Sequence, residues 1–274
     1  MNLKNKILYN LSRKTLQKNN RFKDIHLGES CYIFGNGASI KYFDLSNFND
    51  RVSFCCSSMF LHNDFEELDA KYYYMGHPFV FYKYWKNQYE KKYQKNLVGE
   101  LYKINIKLNP QMEYFVSLSN FFVLHGQNIN YLHHFDNVSE NLINADLSGI
   151  FSPMTGALAG MIGQAIYMGF KDIILVGCDY TFKPKSYGHF YEYGIGKDFY
   201  KESFSKTLLE SAMSYAKVRT LTVSDNYKGD IVESISYESL TLKKPIYQEN
   251  YDIVSDKNLL KLSKLGMQYY IYDK

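Results

Sequence analysis

The stretch SPMTGALAGMIGQAIYMGFKDIILVGCDY, Ser152–Tyr180, decides the fold class. Its first half places Ala157, Met161, Ala165 and Met168 on one helical stripe, and Gly169 stands where a helix of that length should stop. Its second half, KDIILVGCDY, is a continuous apolar run too short for a helix, the pattern of a strand covered on both faces in a parallel sheet. Gly156, Gly160 and Gly163 leave the helix without side chains that would hold it away from that sheet.

Working outward, the same alternation recurs. SCYIFGNG reads as a first strand and its turn, DRVSFCCSSMFL as a second strand and AKYYYMGHPFVF as a third. YWKNQYEKKYQKNLVGELYK predicts an exposed polar helix, EYFVSLSNFFVL one or two short strands, and 125–150 an irregular polar segment. A long polar helix is expected over about 198–217, then the strand VRTLTVS, the turn DNYKGD and a C-terminal helix plus strand. The whole is an α/β chain with a mainly parallel sheet flanked by helices. Three segments are expected: a basic helical N-terminus (1–27), a main domain (28–240) with a small lid at about 182–198, and a C-terminal extension packing on it (241–274).

At 274 residues with 46% apolar content the chain can fill a core, and a net charge of +4 gives no reason to expect nucleic acid as a partner. No run is long and apolar enough for a membrane span, and the N-terminus lacks a secretory pattern, so a cytoplasmic location is expected. Lys4, Lys6, Arg13, Lys14, Lys18, Arg21 and Lys23 precede the first acidic residue. They read either as a solvated helix face or as a peripheral contact with the inner face of an anionic membrane. Cys31, Cys55, Cys56 and Cys178 have neither zinc nor disulfide spacing and are expected as buried thiols. His26 and His62 read as surface residues.

Candidate chemistry falls at strand ends. Gly35-Asn36-Gly37-Ala38-Ser39 breaks the first strand so that backbone N–H groups can meet an anion, although an ordinary tight turn fits the same residues. Thr155-Gly156 is a second such position at a helix start, or a plain cap. Asp179 ends the buried strand, and Tyr180, Tyr187 and His189 follow in a glycine- and tyrosine-rich loop. Phenolic hydroxyls can donate to phosphate oxygens, and an imidazole can take a proton near neutral pH.

IFGNGASI, then FSPMTGALAGMIGQAIYMGFKDIILVGCDYTF, then SYGHFYEYG, in that order, resemble the bacterial sialyltransferases of glycosyltransferase family 42. They are also similar to a broader group, the DUF115-type superfamily, holding the motility-accessory-factor glycosyltransferases and the archaeal MptE-type hydroxymethylpterin pyrophosphokinases. The likeness spans roughly residues 28 to 240. It implies a Rossmann-like, GT-A-like domain with a lid, and a metal-independent inverting transfer from a nucleotide sugar, CMP-activated, to a surface glycan or protein. No cofactor is required in that reading.

Residue by residue, the resemblance implies nucleotide contacts from Gly35, Asn36, Gly37 and Ser39, with Ala38 in place of a proline. It implies the same for Thr155, Gly156 and Asp179. Tyr187 would bind phosphate, the family's other phosphate-binding tyrosine would fall at Thr181 with Tyr180 one place away, and His189 would be the general base. Ser57 and His77 stand where the sialyltransferases carry asparagines, and Ser152 where they carry an arginine. YYYMGHP and SDNYKGDIVESI look more like the motility-factor group. The alternatives are an MptE-like transfer of diphosphate from ATP, or a silent nucleotide-binding subunit of a glycan-assembly complex. The partners expected are the nucleotide sugar, the acceptor, a membrane surface at the N-terminus and a second copy of the chain.

Overall fold

The computed structural model describes residues 3–83, 96–133, 145–151, 156–198 and 206–264. Its centre is a parallel sheet of eight strands. In chain order these are β1 Ser30–Phe34, β2 Val52–Cys56, β3 Ala70–Met75, β4 Glu113–Ser117, β5 Ile129–Leu132, β6 Asp172–Val176, β10 Lys217–Thr222 and β12 Glu233–Ser236. They lie in the order β12-β10-β6-β1-β2-β3-β4-β5. All seven pairings are parallel, with Ser30 opposite Asp172 and Cys31 opposite Val52 on the two sides of β1. This is the Rossmann-like α/β sheet that the apolar runs predict.

Period-two alternation sorts the strand residues onto two cores. Tyr32, Phe34, Cys55, Tyr73, Met75, Tyr114, Ile174 and Val176 face one side. There they meet helix α2 (Leu97–Leu108), a run of 3-10 turns, and the C-terminal helices α5 (Tyr237–Thr241), α6 (Asn250–Ile253) and α7 (Asp256–Leu262). Cys31, Ile33, Phe54, Tyr72, Tyr74, Phe115, Ile173 and Leu175 face the other, under α3 (Ala157–Tyr167) and α4 (Lys206–Met213). The small residues of α3 do what the sequence suggests: a Cβ on Gly160 would lie 2.4 Å from Tyr74 Cζ, so only glycine lets helix and sheet meet there. All four cysteines are free and buried.

The N-terminal helix α1 (Leu3–Gln17) continues through a 3-10 turn, Lys18–Phe22, and the segment docks on the sheet. Leu16 and Phe22 are buried, and buried Asn19 donates to the carbonyls of Tyr131 (2.9 Å) and Leu147 (2.8 Å). Ile7 and Leu11 remain exposed. Among the described residues no helix is long and apolar enough to cross a membrane.

Several expectations need correction. β5 lies inside the stretch read as irregular, and β12 follows the turn DNYKGD where no strand was foreseen. Of the one or two strands read in EYFVSLSNFFVL one forms, β4, followed by a 3-10 turn, Leu118–Asn120. The polar helix begins at Leu97, and residues 84–95 lie outside the described region, as do 199–205 ahead of α4 and any strand beyond 264. His62 is buried against Phe190 with ring centroids 5.7 Å apart, and burial pulls its imidazole down to about 4. His26 is also largely covered, stacked on Phe170 and bonded to the Tyr72 hydroxyl at 2.7 Å.

Candidate functional site

From β1 the chain moves through β2 to β5 on one side and returns to β6 on the other, so the strand order reverses between β1 and β6. In open α/β sheets ligands bind outside the carboxyl ends of the strands at such a reversal. Here those ends are Gly35-Asn36-Gly37 and Gly177-Cys178-Asp179.

The two turns are bonded to each other. Gly35 N donates to Val176 O and Gly37 N to Gly177 O, both at 2.8 Å. Asp179 is buried; its carboxylate accepts from Ser39 N (2.9 Å) and from Ser39 Oγ (2.5 Å). A Cβ on Gly37 would fall 2.4 Å from Asp179 Cγ, so the second glycine of G-N-G admits the carboxylate. Burial pushes the Asp179 carboxyl up to about 6, against the downward pull of the Ser39 donors, of His189 and of Ala38 N. The amides read from sequence as outward anion donors are therefore largely committed: those of Gly35, Gly37 and Ser39 serve the protein itself. Asn36 is the member of the turn with capacity left over. Its Nδ2 donates to Cys56 O at 3.2 Å, while buried Oδ1 finds no donor among the described residues.

The segment after β6 folds back over this crevice. Two small antiparallel ribbons shape it: β7 (Phe182–Lys183) pairs with β11 (Lys228–Gly229), and β8 (Ser186–Tyr187) pairs with β9 (Lys197–Asp198). His189 forms an antiparallel bridge with Gly37, and Phe190 N donates to Asn36 O at 3.0 Å. Fully buried Phe190 anchors the flap. The candidate base is thus tied to the glycine turn by main chain.

His189 has a partner that the sequence reading missed. Its Nδ1 donates to Glu192 Oε1 at 2.9 Å, while Tyr191 stacks on the ring, centroids 4.9 Å apart and planes 5° from parallel. A carboxylate only accepts, so the neutral imidazole carries its proton on Nδ1 and keeps Nε2 as an acceptor. The signal was present in HFYE: Glu three residues after His, with two residues between them, spans one turn, here a bend closed by Glu192 N to His189 O at 2.9 Å. The His189 side chain is 40% exposed, and Tyr180 and Tyr187 stand at 40% and 44%. Tyr180 lies within electrostatic reach of Tyr187, Asp179 and Glu192, and burial first, then these neighbours, raise its phenol to about 12.

The remaining candidates line the neighbouring strand ends. Ser57 follows β2 in the left-handed region at φ 52°, and its carbonyl accepts from Tyr73 Oη at 2.8 Å. His77 follows β3, its ring centroid 6.1 Å from that of Tyr102, and burial lowers its pKa. Gly156 caps α3 at φ 96°, open around its Cα. Thr155 and Ser152 lie outside the described residues. The structure therefore brings Gly35, Asn36, Gly37, Ser39, Asp179 and His189 together directly, with Tyr180 and Tyr187 beside them. Ser57 and His77 stand one and two strands away, after β2 and β3.

Among the described residues no cluster of three His, Cys, Asp or Glu side chains is spaced to hold a metal ion. No family model and no curated protein sequence matches the chain. Among solved structures, the MAf glycosyltransferase from Magnetospirillum magneticum AMB-1 aligns with a TM-score of 0.43 at 13% identity. The alignment covers 93% of this chain and 41% of that one, so this chain spans less than half the length of that protein.

Proposed function

We propose that the chain is a metal-independent, inverting glycosyltransferase that moves a sugar, CMP-activated and acidic, onto a glycan or protein hydroxyl. The observation that carries this reading is the Glu192–His189 pair, tied through Gly37 and Asn36 to the strand-order reversal. The sequence resemblance adds the ligand class. Glu192 holds the imidazole in the tautomer with Nε2 free, and Nε2 takes the acceptor proton as the hydroxyl attacks the anomeric carbon. The exposed phenols of Tyr187 and Tyr180 donate to the departing phosphate as its charge grows. Asn36 Oδ1 offers an acceptor to a donor group of the nucleotide.

Diphosphate transfer from ATP would need carboxylates open to phosphate-bound Mg²⁺. Asp179, the strand-end carboxylate, is buried and committed to Ser39, which weighs toward the transferase reading. The test is a thermal-shift panel with CMP, UDP, GDP and ATP, followed by donor hydrolysis with and without His189→Ala. Stabilisation by CMP is expected by mass action, with hydrolysis lost in the variant. Stabilisation by ATP alone, with Mg²⁺-dependent turnover, would reverse the assignment.

A further inference from the structure

Lys41 sits in the 3-10 turn Ala38–Tyr42 that leaves the glycine turn, and its side chain is completely buried. An ammonium with no solvent around it needs compensation from fixed acceptors. Those acceptors are unusual in their origin. Lys41 Nζ donates to the carbonyls of Glu192 and Gly194 in the flap, and Glu249 of the C-terminal segment stands 4.0 Å away. Glu249 Oε2 also accepts from Gly194 N at 3.3 Å, and Asn250 Nδ2 donates to Tyr191 O at 3.0 Å. The C-terminal segment is itself laid along the turn, with Gln248 N donating to Lys41 O at 2.9 Å and Ile246 N to Tyr42 O at 3.1 Å.

We propose that Lys41 is a positioning residue: with Glu249 it latches the flap's 192–194 backbone to the domain, and so fixes the carboxylate of Glu192 that orients His189. The role rests on the reading of His189 as the base, but the latch itself is visible without any turnover. Lys41 touches the carbonyl of the residue whose side chain holds Nδ1, so loosening the lysine allows Glu192 to swing while leaving His189 and the tyrosines chemically intact. Burial pulls the Lys41 ammonium down to about 8, opposed by Glu249 and Glu192, in keeping with a lysine held for its geometry at an energetic cost. A chain that needed only to fill this volume would carry leucine or methionine there.

The test is Lys41→Met, which keeps the volume and removes the donors. Two readouts need no substrate: amide exchange at Glu192 and Gly194, and the ¹⁵N shifts that report the His189 tautomer. Exchange should quicken about tenfold or more as the segment opens locally. The tautomer should pass from Nδ1–H alone to a mixture. In donor hydrolysis kcat should fall about 10²-fold, with KM for the nucleotide sugar unchanged, as for a small misplacement of a catalytic group. Lys41→Arg, which restores a charged donor, should recover part of kcat, a rescue that a space-filling role would not give. If Lys41→Met is recovered unfolded, Glu249→Gln takes its place and should shift exchange and tautomer in the same direction by a smaller factor. Unchanged exchange and tautomer in the folded variant overturn the latch whatever the activity. A latch that responds in a protein whose His189→Ala form still turns over supports the inference and overturns the base assignment instead.

Discussion

The turn after β1 and the flap beyond β6 meet at Gly37 and His189, yet they use their polar groups in opposite ways. In the turn, the amides of Gly35 and Gly37 are taken by the carbonyls of Val176 and Gly177, and that of Ser39 by the buried carboxylate of Asp179. In the flap, Tyr187 and His189 keep two-fifths or so of their surface in water while a buried phenylalanine and a buried lysine hold the backbone beneath them. The first region is a frame and the second carries reactive groups on it. Burial and satisfied hydrogen bonds buy position at the cost of availability, and exposure does the reverse.

The sharpest way to break this division is His189→Ala. Turnover should drop by about 10²- to 10⁴-fold, the range for a positioned general base. Stability in chemical denaturation should stay within about 0.5 kcal/mol, as for a surface change. Asp179→Ala should do the opposite kind of damage. It strands Ser39 N and Oγ in the interior, at about 1–3 kcal/mol for each unsatisfied group, and urea unfolding should register the loss even without substrate. The same residue gives a pH signature. Its folded carboxyl titrates near 6 because of burial, above the unfolded value of about 3.9. The native state therefore keeps a proton that the unfolded chain has released, so the stabilisation is complete below about pH 4 and is lost as pH rises through about 6. Wild-type protein should lose unfolding temperature relative to Asp179→Asn across that window, and parallel profiles would contradict the buried, proton-holding carboxyl. Tyr187→Phe comes next, with a fall in kcat of about 10²-fold if its hydroxyl donates to the leaving phosphate; an unchanged kcat would confine the phenol to a bystander's place. Gly37→Ala is the smallest, about 1–3 kcal/mol of overpacking against Asp179, read as a lowered denaturation midpoint.

The sheet was legible wherever both of its faces are covered. Ile174 lies in an unbroken apolar run, and Phe54 in one interrupted only by Ser53, because each strand is buried on both sides, and Gly160 announces a close helix because nothing larger fits over Tyr74. The edges hid better. β12 reads ESIS because that edge strand is partly solvated, and β5, although buried, carries Asn130, whose polar groups find partners in Arg21 and Glu113. In the site, Asp179, Tyr187 and His189 were marked by their place after a buried strand. The Ser39–Asp179 bond was not, because it joins residues 140 apart whose mutual satisfaction only the fold reveals. Glu192 was readable from its spacing to His189, whereas Lys41 looks like any surface lysine until the C-terminal segment closes over it.

The pairing of Ser30 with Asp172 has a consequence for synthesis on the ribosome. β1 is the middle of the finished sheet, but its neighbour on one side emerges only after β2 to β5 have been made. Until then the apolar Cys31–Phe34 segment offers a free hydrogen-bonding rim to any extended peptide nearby. Slow translation between β5 and β6 should therefore favour aggregation, and a holdase that shields that rim should raise the yield of folded chain.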